Sequence, residues 1–489
     1  MAGIENLQKS LPHGKIRQTT SIQYRCYVLL VFLIVVACGN NRRPGVSDRE
    51  LFTQRAVDTL QETKQVPDFS DMETYVAPPG VRYSENRAVD PPQPSVDIDI
   101  EKALQREAEN IPLSSIGKSI KYTKVIIPKN TSVLDFVIRD DTLFVSCRDQ
   151  IANQQFIVPY TLDGKFMNFI WEVTPKGITK KNYPDLEEEE LLPPEPKMET
   201  NNRPPPPPPP MPPGSQGDEI IFDVNFDHTG KEIHYTITRQ QDRNHPEYRK
   251  HIISRINGVQ QAVYSERFEE GSIRTYFLPS IGWMRVCKTL DSRLKKSPWS
   301  LIIVSARGDT LCRFANHNPV TPVSISAGFT KEFINAYFYN DMFTFRTDYA
   351  DTIFRVVAPD KILPVYAINS GKYKLLAVEG LRGQVENKVY IENIRETQDF
   401  LFISINSPAR ENHILLFDKQ RQTLRLHRNE SFANDIDNGP AFYPEKIMPD
   451  GKTMACKYMS SYFQNTPSTT ISNLFPSMAK NNVIFMILL

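Results

Sequence analysis

The chain has almost no net charge: 58 basic side chains stand against 57 acidic ones in 489 residues. A balance of +1 gathers no polyanion, so nucleic acid is not an expected partner. No apolar run approaches the roughly 20 residues needed to cross a bilayer as a helix. Cysteine is sparse, with six residues and no CxxC pair. The eight histidines are scattered, without HExxH or the His–Cys spacing that builds zinc sites. No GxSxG elbow or phosphate-cradling glycine loop is present, although a catalytic triad can assemble from distant residues. Local signatures of hydrolases and metalloenzymes are therefore missing.

What is present begins near the start. Tyr27-Val-Leu-Leu-Val-Phe-Leu-Ile-Val-Val-Ala37 is too short to span a membrane and suits the apolar core of a secretory signal. Lys9, Lys15, Arg17 and Arg25 precede it, and no acidic residue follows Glu5 in that flank. Val35-Val36-Ala37-Cys38 resembles the bacterial lipobox, in which the cysteine is acylated and becomes the new N-terminus. The expectation is a signal peptide over 1–37, a mature chain from Cys38 and a membrane attachment through its lipid, two or three acyl chains anchoring stably where one does not. Gly39 replaces the Asp of inner-membrane retention, and Asn40 to Arg43 lack an acidic export cluster. These point to the outer membrane, facing the periplasm.

Residues 38–95 are polar and proline-spotted and read as a flexible tether, with an extended reach on the order of 100 Å. Val96 to Gln105 is a short amphipathic stretch. From Ile120 onward the pattern turns to short runs of β-branched and aromatic residues separated by Gly, Asp, Asn and Pro. Asp141-Thr-Leu-Phe144, Asp309-Thr-Leu-Cys312 and Asp351-Thr-Ile-Phe354 read as turn exits into strands. Asp163-Gly-Lys-Phe166 and Asp450-Gly-Lys-Thr453 read as hairpins whose glycine takes positive φ. About 20 short antiparallel strands with recurring hairpins indicate an all-β propeller, whose blades bury one another's open faces. Length arithmetic admits six, seven or eight blades.

Cys147, Cys287, Cys312 and Cys456 each sit inside an apolar run and read as buried free thiols, although the periplasm permits disulfides. Between strands, at about 180–217, lies an insertion with Asp185-Leu-Glu-Glu-Glu-Glu190 and seven consecutive prolines from Pro204 to Pro210. Its plain reading is a disordered acidic and proline-rich surface segment, its functional reading a polyproline docking rod.

Several motifs carry a family resemblance. Ile98-Asp-Ile-Glu-Lys-Ala-Leu104, Asp351-Thr-Ile-Phe-Arg355, Asn369-Ser-Gly-Lys-Tyr-Lys374, Asn434-Asp-Ile-Asp-Asn-Gly-Pro440 and Phe442-Tyr443-Pro444 occur in that order. The chain from about 96 to 489 thereby resembles the uncharacterised six-bladed β-propeller lipoproteins of Bacteroidota, departing from them at 175–217. The resemblance implies six blades, closed by a strand near Tyr122 pairing with Val483–Leu488, and implies no activity.

Asn434, Asp435, Asp437 and Asn438 gather oxygen ligands of the kind calcium takes, without EF-hand spacing. The plainer reading is a turn capped by its own Asx side chains. His228 and His234 flank one hairpin and read as a solvent-exposed pair. Asp58-Thr59-Leu60 matches an Asp-Thr-aliphatic O-glycosylation acceptor, making Thr59 a candidate glycosite on the tether. No cofactor is expected other than Ca²⁺ at the Asx loop. The leading expectation is a membrane-anchored binding or scaffold lipoprotein engaging an envelope protein or glycan. The alternative is a metal-dependent propeller hydrolase or lyase acting on a sugar or lactone, and a third reading is a structural lipoprotein docking through its polyproline segment.

Overall fold

The computed structural model describes residues 96–152, 154–183, 185–188, 219–239, 248–255, 260–267, 272–279, 281–287, 299–315, 334–347, 349–381 and 383–489. Cys38, Thr59, the tether and most of the 180–217 insertion lie outside them. Two strands, β1 (Val96–Asp99) and β2 (Ile120–Ile126), precede six sheets that form a six-bladed β-propeller. Blade 1 holds β3 (Thr131–Arg139), β4 (Thr142–Asp149), β5 (Gln155–Thr161), β6 (Phe169–Thr174) and β7 (Gly177–Asn182). Blade 2 holds β8 (Glu219–Phe226), β9 (Glu232–Arg239), β10 (Tyr248–Arg255) and β11 (Gln260–Arg267). Blade 3 holds β12 (Ser272–Leu278), β13 (Gly282–Cys287), β14 (Trp299–Val304) and β15 (Thr310–Ala315). Blade 4 holds β16 (Ile334–Tyr339), β17 (Met342–Thr347), β18 (Thr352–Ala358) and β19 (Lys361–Asn369). Blade 5 holds β20 (Tyr390–Glu396), β21 (Phe400–Asn406), β22 (Asn412–Asp418) and β23 (Thr423–His427). Blade 6 holds β24 (Lys446–Ile447), β25 (Met454–Met459) and β26 (Asn482–Leu488), with β2 as its outermost strand.

The apolar runs lack polar alternation because each blade is covered on both faces. Side chains alternate across a strand, so successive residues feed opposite neighbours. In β21, Leu401, Ile403 and Ile405 pack towards blade 4, while Phe402 packs towards blade 6. In β26, Val483, Phe485 and Ile487 face blade 1, and Met486 and Leu488 face blade 5. Six apolar clusters result, one per blade interface.

Closure is by β2, antiparallel to β26 with Tyr122 opposite Met486, the pairing that the resemblance implies. Five strands, β1, β7, β13, β20 and β24, were not expected from the sequence, and two of these lie at outer sheet edges. One is β7, which adds a fifth, mostly exposed strand to blade 1. The other is β1, the opening of the amphipathic stretch, which pairs parallel to β19 and leads into helix α1 (Ile100–Leu104). From there the chain runs along the rims of blades 4, 5 and 6 as a belt. Glu109 bridges β23, bonding Leu426 and Arg428 through the backbone, and its carboxylate grips Arg425 at 2.7 and 3.0 Å. The belt and β2 thus satisfy outer edges that would otherwise offer unpaired backbone groups.

The turn reading holds at several places. Asp140 and Asp141 both take positive φ (47° and 57°), as do Asn340 and Asp341 (49° and 61°), the pattern of type I′ hairpins. Gly164 has φ 86°, and a Cβ there would lie 1.9 Å from the Lys124 carbonyl oxygen of β2. Blade 1 can press against the closing strand only because this residue is glycine. Cys147, Cys287, Cys312 and Cys456 form no disulfide among the described residues, with Cys287 half-buried and the others buried. Burial pushes the Cys147 and Cys456 thiols up to about 12.

Candidate binding site at the inner strands

The first strand of each blade lines the propeller axis, and four of these six carry the same irregularity. A β-bulge interrupts β3 between Val133 and Asp135, β8 between Ile221 and Asp223, β12 between Ser272 and Arg274, and β20 between Ile391 and Asn393. A bulge re-aims the chain next to it. In all four strands the residue that follows is polar: Asp135, Asp223, Arg274 and Asn393. This recurrence was the available sequence signal, hidden because bulges shift the period of two.

Asp135 is a hub for three blades. Its Oδ1 accepts from Lys446 Nζ of blade 6 at 2.5 Å, and its Oδ2 accepts from the Phe226 N–H of blade 2 at 3.0 Å. Lys446 also lies 5.8 Å from the Phe136 and Phe226 rings. Next to it, Lys457 pairs with Glu445.

Arg395 and Glu396, consecutive in β20, reach in different directions. Arg395 Nε donates to the Glu445 carbonyl at 2.9 Å, and Nη1 donates to the Ile394 carbonyl at 3.0 Å and to Asn393 Oδ1. Burial draws this guanidinium below its ordinary value, while Tyr443, Glu445, Tyr337 and Asp135 pull the other way without cancelling it. Glu396 points into the blade 4–5 interface, its side chain fully buried. Its Oε1 accepts from Arg355 Nη2 (2.6 Å), Lys419 Nζ (2.7 Å) and Tyr366 Oη (2.7 Å), and its Oε2 from Tyr337 Oη (2.9 Å). Burial alone raises this carboxyl, but Arg355 and Lys419 more than offset it and hold it below the usual range. Burial and then the Glu396 charge raise both tyrosines well above the ordinary phenol value. Both cations also lie over the Tyr339 ring, at 4.4 and 3.9 Å.

The two histidines are not a solvent-exposed pair. His228 stacks on Phe338 of blade 4 with ring centroids 4.0 Å apart, and its Nε2 lies 3.0 Å from Asp341 Oδ1. His234 sets its ring edge-on against Phe277 of blade 3. The β8–β9 turn therefore touches blade 4, through the ring stacking and the Asp341 carboxylate.

The Asx loop lies between blades 5 and 6 and holds the belt. Asp437 Oδ1 accepts from Tyr122 Oη (3.0 Å), Asn434 Nδ2 (2.6 Å) and the Gly439 N–H (2.9 Å). Asp435 accepts from the N–H and hydroxyl of Ser114, which hold its carboxyl below the usual range. Asn434 Oδ1 caps the turn at Ile436 and Asp437, and Asn438 takes φ 59°. Both Asp435 oxygens, Asp437 Oδ1 and Asn434 Oδ1 thus accept from protein donors. Among the described residues no group of three or more His, Cys, Asp or Glu is placed to hold a metal ion.

With this geometry in view, comparison with known proteins is informative about one stretch. Residues 250–463 match the model of a domain of unknown function, DUF4933. The DUF4933 stretch runs from β10 through helix α2 (Ala377–Leu381) to helix α3 (Ser460–Asn465), so it contains the Glu396 cluster, Arg395 and the Asx loop but not blade 1 or the belt. No curated protein sequence matches the chain. Among solved structures, a member of the DUF4221 family from Bacteroides vulgatus aligns at 9% identity and TM-score 0.30, over 76% of this chain and 98% of that one. The WD40 domain of SCAP from fission yeast aligns at 8% identity and TM-score 0.30, over 75% and 98%. A prolyl endopeptidase aligns at 12% identity and TM-score 0.30 over 68% of this chain, which spans only 44% of that protein.

Proposed function

We propose that this protein is a membrane-anchored binding or scaffold lipoprotein of the cell envelope, attached through Cys38 to the outer membrane and facing the periplasm. The signal peptide spans 1–37, the tether 38–95, and the propeller engages a protein or glycan. The lipobox ahead of a β-propeller carries the reading.

The recognition surface is the end of the propeller that bears the second-to-third-strand turns and the blade-to-blade connections. Strand direction alternates within a blade, so these segments share one end. Ile151 (79% exposed), Leu376 (43%) and Leu474 (52%) all project from such segments. Exposed large apolar side chains can mark contact surfaces. Blade 6 adds helices α3 and α4 (Thr469–Leu474) there, with Tyr458, Tyr462 and Phe463 in mutual ring contact.

The test is in-cell crosslinking of the native protein beside Cys38→Ser, with the membrane fraction read by mass spectrometry. One abundant partner, weakened in the unanchored variant and lost in Leu376→Asp/Leu474→Asp, supports the reading. An unmodified Cys38 in a freely soluble protein defeats the anchor, and capture unaffected by the surface changes defeats the assigned face.

A further inference from the structure

We propose that the propeller axis holds a binding site for a small oxyanion, a carboxylate or phosphate group, anchored by Arg395. The inference stands on the inner strands alone and does not depend on the lipid anchor or on a macromolecular partner.

The argument begins with how Arg395 is satisfied. Its Nε and Nη1 are spent on the carbonyls of Glu445 and Ile394 and on the Asn393 amide oxygen. These three acceptors lock the guanidinium plane but carry no full negative charge. Among the described residues Arg395 forms no ion pair, and its Nη2 donates no hydrogen bond within the protein. Arg395 as a whole is half-buried.

Its surroundings make the missing counter-charge matter. The groups that sense Arg395 come from three other blades: Tyr337 of blade 4, Tyr443 and Glu445 on the approach to blade 6, and Asp135 of blade 1. Arg395 stands on β20, the inner strand of blade 5, and its Nε reaches the Glu445 carbonyl just ahead of β24, so the guanidinium lies where the inner edges of blades 5 and 6 meet. Both neighbouring carboxylates are already engaged, Asp135 by Lys446 and Glu445 by Lys457. Glu396, the carboxylate next in sequence, is shared by two cations, Arg355 and Lys419. Arg395 is thus held by neutral acceptors alone, and an oxyanion at Nη2 supplies the full negative charge that they lack. Guanidinium also suits the class of ligand, since its fixed fork presents parallel N–H donors to two oxygens of a carboxylate or phosphate.

The site would take a ligand small enough to enter along the axis with its anionic head at Arg395. Tyr443 stands beside that head, its hydroxyl accepting from the Asn393 amide at 3.3 Å. Asn393, the residue after the β20 bulge, is the positioning residue, because its amide oxygen holds the guanidinium in place.

The experiment uses the full chain purified in detergent, with chloride exchanged at constant ionic strength for inorganic phosphate or for acetate. The expected result is a melting-temperature rise that saturates with one or both anions and is absent in Arg395→Gln. A rise with phosphate alone assigns phosphate, and with acetate alone assigns carboxylate. On the wild-type protein, phenylglyoxal modification of Arg395, read by peptide mass spectrometry, is expected to slow at least several-fold under the saturating anion. This second readout decides the matter if Arg395→Gln does not fold. No saturable rise with either anion, an undiminished rise in Arg395→Gln, or modification of Arg395 at an unchanged rate overturns the proposal.

Discussion

Replacing Glu396 with glutamine tests the central claim about how blades 4 and 5 are joined. The wild-type carboxylate takes four hydrogen bonds, two from cations, in a fully buried position. Glutamine keeps the shape and one carbonyl oxygen for Arg355, Lys419 and Tyr366. It removes the charge and turns an NH₂ towards the Tyr337 hydroxyl, which must rotate to accept. Removing one partner from a buried ion pair costs about 3–5 kcal/mol, because the remaining charge stays desolvated. With roughly 390 residues unfolding at about 2.1 cal/mol/K each, the transition entropy is about 0.8 kcal/mol/K. The expected fall in melting temperature is therefore about 4–6 °C, read by scanning calorimetry at pH 7. The same reasoning gives the pH dependence a sign. The folded-state pKa of Glu396 is lowered, so its contribution is present above the unfolded value of about 4.3 and is lost as pH falls through the folded value. The gap between wild type and Glu396→Gln should therefore narrow on acidification below pH 4.3. Arg355→Met/Glu396→Gln should melt higher than the two single losses predict when added, because the second change removes the stranded charge. A single variant within about 1 °C of wild type at pH 7, or a gap that widens in acid, would refute the reasoning.

Four further outcomes are expected. Gly164→Ala forces a Cβ against the Lys124 carbonyl at positive φ, and should cost about 2 kcal/mol or more in urea unfolding; an unchanged midpoint counts against the blade 1–β2 contact. His427 accepts from the Ile111 N–H at Nδ1 (3.0 Å) and faces the Ser431 carbonyl at Nε2 (2.9 Å), with burial lowering its pKa. Its stabilisation is complete above the unfolded value of about 6.5 and lost as pH falls through the folded value. Hydrogen exchange over 107–113, corrected for intrinsic rate, should be faster at pH 5 than at pH 7.5. Asp437→Ala strands three donors and should cost about 2 kcal/mol; EDTA should leave the wild-type melting temperature unchanged, and a Ca²⁺-induced rise would show that the loop oxygens are free to take an ion. Iodoacetamide on the native protein at pH 8 should reach Cys287 before Cys147, Cys312 or Cys456; early loss of the Cys147 thiol would contradict its burial.

The amino-acid sequence by itself determined the fold class. Short β-branched and aromatic runs favour strands and little else, and Asp-Gly-Lys at 163–165 and 450–452 demands tight turns wherever it stands. The absence of disulfides among the four cysteines was also legible, since each lies within an apolar run far from the others in sequence. Tertiary structure decided the rest. Blade count depends on how many sheets close a ring, which no local pattern encodes. The strand at Val96–Asp99 exists because β19 offers it an edge, and four residues of mixed polarity show no such partner in sequence. The histidine pair was misjudged for a related reason: six residues of separation along a hairpin say nothing of Phe338 and Asp341, more than a hundred positions away. Arg395 and Glu396 look like an ordinary charged strand end. Their chemistry arises only when six blades converge, because burial removes the water that would otherwise make each charge unimportant, and each blade brings its partners from a distant part of the chain.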